Sequence, residues 1–436
     1  MSNWNTEYKQ KLTTPEQAVK AVKSGDVVYG GTCTSVAYTL LNALGNRAEE
    51  LENVTITGSQ IIYPVTCLSN EFPGSFKLSS YFMGAQEREF RKKGGELDFT
   101  SVHLSQVDIW CEKTMKPDVA FFEVSEPDEN GYMCYGASGV ALHEYLREGA
   151  KKIILEVNKQ VPYVYGTKNL IHVSQADAII ESDIPLYENT GLPVSKEIET
   201  ISDYLLDQIP DGACIQLGIG GVADAVGYGL KKKNDLGVHT ELLTDSIAEL
   251  MKQGNVTNQR KNYMKGKSVA CFAMGSRSLY EFIDHNESCY FAPFPMSNDP
   301  RVIAQNDNMI SINTAMCIDL FGQVCADNIA GRQHSATGGQ VDFVRGAQMS
   351  KGGKSFIALT SELHNKNGRG SRIVSQFPMG TAVTTPRSDV QYVVTEYGCV
   401  NLKELTMKER VKAMISLAHP DFRPGLIEDA KKAGFY

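Results

Sequence analysis

Apolar positions along the chain switch between two spacings, one suited to helices and one to strands. TPEQAVKAVKSGD, residues 14–26, has the helical spacing, with Thr14 as N-cap, Pro15 at the first helical position, Gln17 placed to complete a capping box and Gly25 ending the helix. DVVYGGT then reads as a strand, SVAYTLLNALGNRAEEL as a second helix and NVTITGS as a second strand, which together make a βαβ unit.

The same order returns in the second half. SKEIETISDYLLDQIPDG reads as helix and turn, ACIQLGIG as strand, GVADAVGYGLKKK as helix and VHTELL as strand, with Glu241 near its middle. Gly25 answers to Gly212, and the pair Gly30-Gly31 lies near the position of Gly218. The pattern predicts an α/β protein of two similar tandem α/β domains, each on a mainly parallel sheet. Between them DIPLYENTGLPVSKE, with Pro185, Gly191 and Pro193, reads as a linker, giving domains 1–190 and 191–436. Loops rich in Gly, Asn and Asp, SEPDENGYMCYGASG and GRQHSATGGQVDFVRGA, fall at strand ends, where open α/β sheets gather ligands. The last stretch, from LTMKERVKAMI to DAKKAGF, reads as helical and as a cap.

Composition narrows the class. At 436 residues, 42% hydrophobic and 22% charged, the chain has the balance of a globular protein of about two domains. A formal charge of −8 argues against a nucleic-acid or anionic-membrane surface, while leaving room for a local pocket that takes a small anion. Ten cysteines are scattered without a CxxC pair, so neither a zinc site nor a disulfide framework is expected. No run approaches the roughly 20 apolar residues of a membrane span and the start lacks a signal-peptide core, which points to a reducing cytosol.

The turn LGIGGVAD follows a strand and opens a helix, so the backbone N–H groups at Gly218, Gly220 and Gly221 can face an anion, or the glycines merely permit a tight turn. It also approximates the dinucleotide fingerprint, with Glu241 about twenty residues on, which keeps a nicotinamide-dependent dehydrogenase or nucleotide module as an alternative. Glu241 itself reads as a ribose ligand, a structural ion-pair partner or a nucleophile.

The successive runs QLGIGGVADAV, HTELLTDS, AMGSRSLYEF, ISINTAMCIDLFGQV, SATGGQVDFVRGA, VVTEYG and AHPDFR resemble, in order, the blocks of the acetyl-CoA hydrolase/transferase family, within the family I CoA-transferases, and among these the 4-hydroxybutyrate and butyrate CoA-transferases. The resemblance covers nearly the whole chain. It implies that Glu241, in the H-[ST]-E block, is the nucleophile and that Gly339, of the pair Gly338-Gly339, offers its amide to an oxyanion. It further implies that Gly218, Ile219, Gly220, Gly221 and Val222 contact coenzyme A, as does Asn298 of MSNDP. Many relatives have proline where this chain has Ala223.

The activity so implied is transfer of CoA between a short-chain acyl-CoA and acetate, butyrate or 4-hydroxybutyrate by a ping-pong route through a glutamyl-CoA thioester. An acyl-CoA hydrolase of the same fold is the alternative. CoA would be a substrate with no permanently bound cofactor or metal, the active site would lie in the crevice between the halves, and a homodimer or larger assembly is expected. A carboxylate of ordinary pKa, about 4.3, is ionised at neutral pH and needs no general base. His239, two residues before Glu241, reads as an orienting donor or a packed neighbour, Arg277 as a phosphate contact or a surface residue, and Glu126, Asp128 and Glu129 as a solvated turn rather than a metal cluster. Lys231 to Lys233 read as a solvated helix end.

Overall fold

A computed structural model describes residues 3–189, 194–365 and 368–436. Gly191 and Pro193 of the expected linker, and the domain boundary at 190, lie outside the described residues. The chain divides into two compact units, Met1–Asn189 with Val269–Met296, and Thr190–Ser268 with Ser297–Tyr436. The segment Val269–Met296 thus joins the first unit, a return that no single cut in the chain represents.

The first unit is built on seven parallel strands: β1 (Val27–Thr32), β2 (Val54–Ser59), β3 (Phe76–Ser80), β4 (Leu97–Phe99), β5 (Val119–Val124), β6 (Lys152–Asn158) and β7 (Ala178–Ser182), in the order β7-β6-β5-β1-β2-β3-β4. β5 is buried at every position, the pattern of a strand covered on both faces. Helix α1 (Tyr38–Gly45) buries Leu40, Leu41 and Leu44 in a cluster with Val28, Ile56 and Phe121.

Two helices are shorter than their spacing predicts. The first is one α-turn, Pro15–Ala18, followed by a 3-10 turn, Val19–Ala21, with the Thr14 hydroxyl accepting from the Gln17 amide at 3.3 Å. The second begins only at Tyr38, because Ser35 and Val36 fold back antiparallel on Thr32 and Gly31. Gly31 makes this return possible: its φ is +116°, and a Cβ there would sit 2.4 Å from the Ser35 carbonyl oxygen.

The second unit repeats the winding. Its strands are β8 (Cys214–Leu217), β9 (Gly237–Val238), β10 (Met309–Thr314), β11 (Lys354–Ala358), β12 (Tyr392–Thr395) and β13 (Gly398–Asn401), in the order β9-β8-β10-β11-β12-β13, all parallel except β13. In each sheet the chain enters in the middle, winds to one side, then returns to the far side of its first strand. Gly25 and Gly212, at φ +83° and +77°, each sit two residues before that first strand.

Helices α2 (Lys196–Gln208), α3 (Gly221–Gly229) and α4 (Gln340–Met349) accompany this sheet. At the C-terminus α5 (Met407–Leu417) and α6 (Arg423–Lys432) place Val411, Met414, Ile415 and Leu426 in a cluster with Ile318, Ile373 and Val393. Each such side chain contributes about 1.5–3 kcal/mol by leaving water.

In the first unit Glu123 and Glu156 are cross-strand partners on β5 and β6, and both are buried. Glu156 accepts from the Thr39 hydroxyl at 2.6 Å and from the Leu40 amide at 3.2 Å, at the start of α1. Glu123 accepts from Asn158 at 2.9 Å, while its other oxygen has no partner among the described residues. Burial, then the neighbouring Glu156 charge, pushes the Glu123 carboxyl well up. A carboxyl raised by folding favours the native state below its unfolded pKa and loses that contribution as pH rises through the folded value. Glu123→Gln is therefore expected to reduce the fall in urea stability between pH 5 and pH 8; an unchanged slope contradicts this account.

Candidate active site

Two glycine-containing loops flank the point where the second unit's winding reverses, between β8 and β10. Gly218 continues the β8 ladder, its amide donating to the Ile312 carbonyl at 2.9 Å. A Cβ at Gly218 would lie 3.3 Å from that oxygen and 3.4 Å from Asn313 Oδ1. Beneath the turn, Gln216 and Asn313 pair through their amides at 3.2 and 3.3 Å, and Gln216 Oε1 also accepts from the Ile312 amide. Ile219 is exposed, Gly220 takes φ +115° as the N-cap of α3, Gly221 opens the helix and Val222 is buried. Three glycines thus give a turn whose backbone is uncovered at a helix N-terminus.

β9 is much shorter than the sequence pattern predicts. It covers only Gly237 and Val238, and a second two-residue strand, Leu242–Leu243, follows after a break. Side chains occupy the polar backbone of Val238: Asn258 Oδ1 accepts from its amide at 2.9 Å, and Lys261 Nζ donates to its carbonyl at 2.7 Å. Thr240 turns its hydroxyl to the Leu242 carbonyl at 3.1 Å. Glu241 therefore sits in a kink beyond the end of the strand rather than in its middle, at the carboxyl edge of the sheet where ligands gather.

Glu241 Oε2 accepts from Asn298 Nδ2 at 2.9 Å, and the Gly339 amide acts on the same carboxylate. Gly339 is the N-cap of α4, tied to the neighbouring strand end by Gln340, whose side-chain amide donates to the Thr314 carbonyl at 2.8 Å. A Cβ at Gly339 would fall 1.9 Å from Glu241 Oε2 and 2.3 Å from Asn298 Nδ2, so no other residue fits without moving the carboxylate. Its φ of −94° is ordinary; space alone demands glycine here. Gly338, by contrast, has φ +59°.

The carboxylate is costly to ionise in this position. Burial pushes the Glu241 carboxyl up to about 7, the Asn298 hydrogen bond draws it down, the Asp342 charge raises it again, and the Gly339 amide opposes that. An ordinary carboxylate value near 4.3, the sequence-based expectation, is thereby corrected.

His239 is fully buried and acts on the site through Asn298. Its Nε2 meets the Ser297 carbonyl at 2.7 Å and its Nδ1 lies 3.4 Å from Asn306 Nδ2, with Tyr263 and Phe343 against the ring. Burial, reinforced by Lys261, lowers the imidazole to about 3, so the neutral ring donates from Nε2. The Ser297 hydroxyl in turn donates to Asn298 Oδ1 at 3.0 Å, which turns the amide nitrogen toward Glu241. Asn298, expected beside coenzyme A, thus stands on the Glu241 carboxylate.

The remaining candidates have other surroundings. Arg277, in the first unit, donates to Gln160 at 2.6 Å and to Glu281 at 3.3 Å. Asp128 accepts from the amides of Asn130 and Tyr132, the geometry of a turn. Sequence reasoning missed Ser297, which lies inside MSNDP beside Asn298, and Asn306, which carries no motif; both matter through the neighbours they hold, the Asn298 amide and the His239 ring.

Comparison with known proteins assigns the family. Residues 1–186 match the acetyl-CoA hydrolase/transferase N-terminal domain and residues 275–430 its C-terminal domain. The chain is 38% identical to butyryl-CoA:acetate CoA-transferase of Anaerostipes caccae, over 99% of this chain and 98% of that protein. It is 38% identical to 4-hydroxybutyrate coenzyme A transferase of Clostridium kluyveri, over 98% and 99%. The solved structure of RipA from Yersinia pestis superposes with a TM-score of 0.94 at 37% identity, covering both chains fully. With a carboxylate, an amide and a glycine assembled where two parallel strands part, and likeness along its whole length, the chain belongs to the acetyl-CoA hydrolase/transferase family.

Proposed function

We propose that the protein transfers CoA between a short-chain acyl-CoA and a carboxylic acid, with acetate, butyrate and 4-hydroxybutyrate as candidate acids, and that Glu241 carries the exchange. The observation that supports this most is the pair of donors on the Glu241 carboxylate, the Asn298 amide and the Gly339 N–H, in a place where any side chain at residue 339 would push the carboxylate aside. The names of the whole-length relatives support the substrate class.

In this reading the other carboxylate oxygen, Oε1, attacks the thioester carbonyl and expels CoA thiolate, leaving an acyl-glutamyl anhydride. The thiolate then attacks the glutamyl carbonyl, the bond to the acyl carboxylate breaks, and the first acid leaves a glutamyl-CoA thioester. During that second attack negative charge develops on Oε2, where the Asn298 amide already points, with the Gly339 N–H against the same carboxylate; removing one such donor costs roughly 10²–10³ in kcat. A second carboxylate reverses both steps. Ser297 and His239 serve by holding the Asn298 amide in register. The uncovered turn Gly218–Val222 would take a polar portion of CoA, whose binding energy holds the thioester against a weak nucleophile. The same family includes hydrolases, and a half-buried Glu241 leaves water a route to the anhydride.

Glu241→Ala is expected to abolish acid-dependent exchange with folding intact by circular dichroism. Borohydride added with acetyl-CoA should inactivate the protein and modify the peptide that contains Glu241; retention of a tenth of the exchange in the alanine variant, or an unmodified peptide during turnover, rejects the covalent route.

Since attack needs the ionised carboxyl, kcat/KM for acyl-CoA should fall tenfold per unit as pH drops below about 7. An acid limb centred near 4.5 would show that burial does not govern the nucleophile. Asn298→Ala should lower kcat by roughly 10²–10³-fold with little change in KM, as expected of a donor used in the transition state. Release of CoA without an added acid, at a rate matching exchange, would select the hydrolase reading.

A further inference from the structure

Cys317 and Cys325, separated by an unremarkable run of seven residues, are brought face to face in the second unit. They are directly opposed on the antiparallel strands Cys317–Asp319 and Val324–Cys325, near enough for each thiol to act on the ionisation of the other. Opposed antiparallel residues have Cα atoms about 4.5–5.5 Å apart, within the range of about 4.4–6.8 Å that a disulfide spans. The two differ in access: Cys325 is fully buried and its thiol donates to the Asn328 carbonyl at 3.1 Å, whereas Cys317 is partly exposed.

The setting favours a thiolate. Arg372, on the strand edge beside Cys317, acts on it through its charge, and its buried Nε has no hydrogen-bond partner among the described residues. The S–H of Cys317 held against the second sulfur draws Cys325 down to about 7 and pushes Cys317 up, with the Asp319 and Asp327 charges opposing ionisation. One negative charge is thus shared by two sulfurs next to a guanidinium, the microenvironment of exchange-active cysteines. The other partly exposed cysteine, Cys399, is pushed by burial to about 11.

We infer that Cys317 and Cys325 form a thiol–disulfide exchange site that takes an intrachain disulfide from a low-molecular-weight disulfide RSSR. Cys317 is the sulfur that solvent-borne RSSR reaches. Cys317 passes its proton to the Cys325 sulfur and, as the thiolate, attacks one sulfur of RSSR; the RS–SR bond breaks, and RS⁻ leaves with a proton from solvent. Cys325 then loses its proton and attacks the Cys317 sulfur of the mixed disulfide, expelling the second RS⁻. Two protein thiols and one RSSR become one protein disulfide and two RSH, and a reducing dithiol reverses the exchange. The site lies at the root of the segment leading to Gly339: Asp327, two residues beyond Cys325, accepts from the amides of His334 and Ser335 through its carbonyl and from the Gln333 side chain.

Tryptic cleavage isolates the site, because the peptide Val302–Arg332 contains these two cysteines and no other. After the full-length protein is incubated with oxidised glutathione and its free thiols are alkylated, this peptide should be lighter by two hydrogens and carry no alkyl group, and dithiothreitol should restore two alkylatable thiols. Cys325→Ser should trap a glutathione adduct on Cys317, and Cys317→Ser should leave Cys325 unmodified in the native protein. A wild-type peptide that takes two alkyl groups after oxidation overturns the inference, as does a Cys317→Ser protein that acquires the adduct on Cys325.

Discussion

A carboxylate held by an asparagine amide and a backbone N–H, in surroundings that make its charge costly, is the constraint around which the second unit is arranged. Burial makes the charge on Glu241 costly, and the hydrogen bonds from Asn298 and Gly339 offset part of that cost. The two effects balance near neutrality. Such a balance survives only if the donors cannot wander. Gly339 is therefore fixed at the head of a helix, and Asn298 is fixed by Ser297, which His239 anchors from the core.

The kink after β9 belongs to the same arrangement. A continuous strand would carry Glu241 along the pleat and commit its backbone to a neighbour. Ending the strand at Val238, with Asn258 and Lys261 taking up the freed backbone groups, releases the next residues to turn the carboxylate toward Asn298 and Gly339. Lys261 bears the cost of this: burial lowers its ammonium to about 8, and its remaining contacts are carbonyls, from Val238 and Lys267. The first unit follows the same winding yet uses its buried carboxylates differently. Glu156 is saturated by amides and a hydroxyl at the start of α1, which makes it a part of the scaffold.

Much of this was legible in one dimension. Strand and helix periodicities located β1, β2, β8, α2 and α3, and the positive-φ requirement before each first strand left a glycine in both halves, Gly25 and Gly212. The ordered blocks around Gly218, Glu241 and Gly339 indicated the family, since a turn that exposes amides and a helix cap that excludes a Cβ can be met only by glycine. Local chemistry of this sort is written in residue type because backbone conformation and side-chain volume are local quantities.

What the sequence could not disclose depended on residues far apart in the chain. Asn298 reaches Glu241 across 57 positions, Cys317 faces Cys325 only because two short strands pair, and the segment Val269–Met296 returns to the first unit. The strand pattern over VHTELL predicted no kink, because the side chains that end β9 come from residues 258 and 261. The sequence by itself determined an α/β chain with two similar halves, its glycine turns and the acidic residue between them. Tertiary structure decided which donors that carboxylate meets and how far its pKa rises, since desolvation and hydrogen bonding depend on neighbours that only folding assembles.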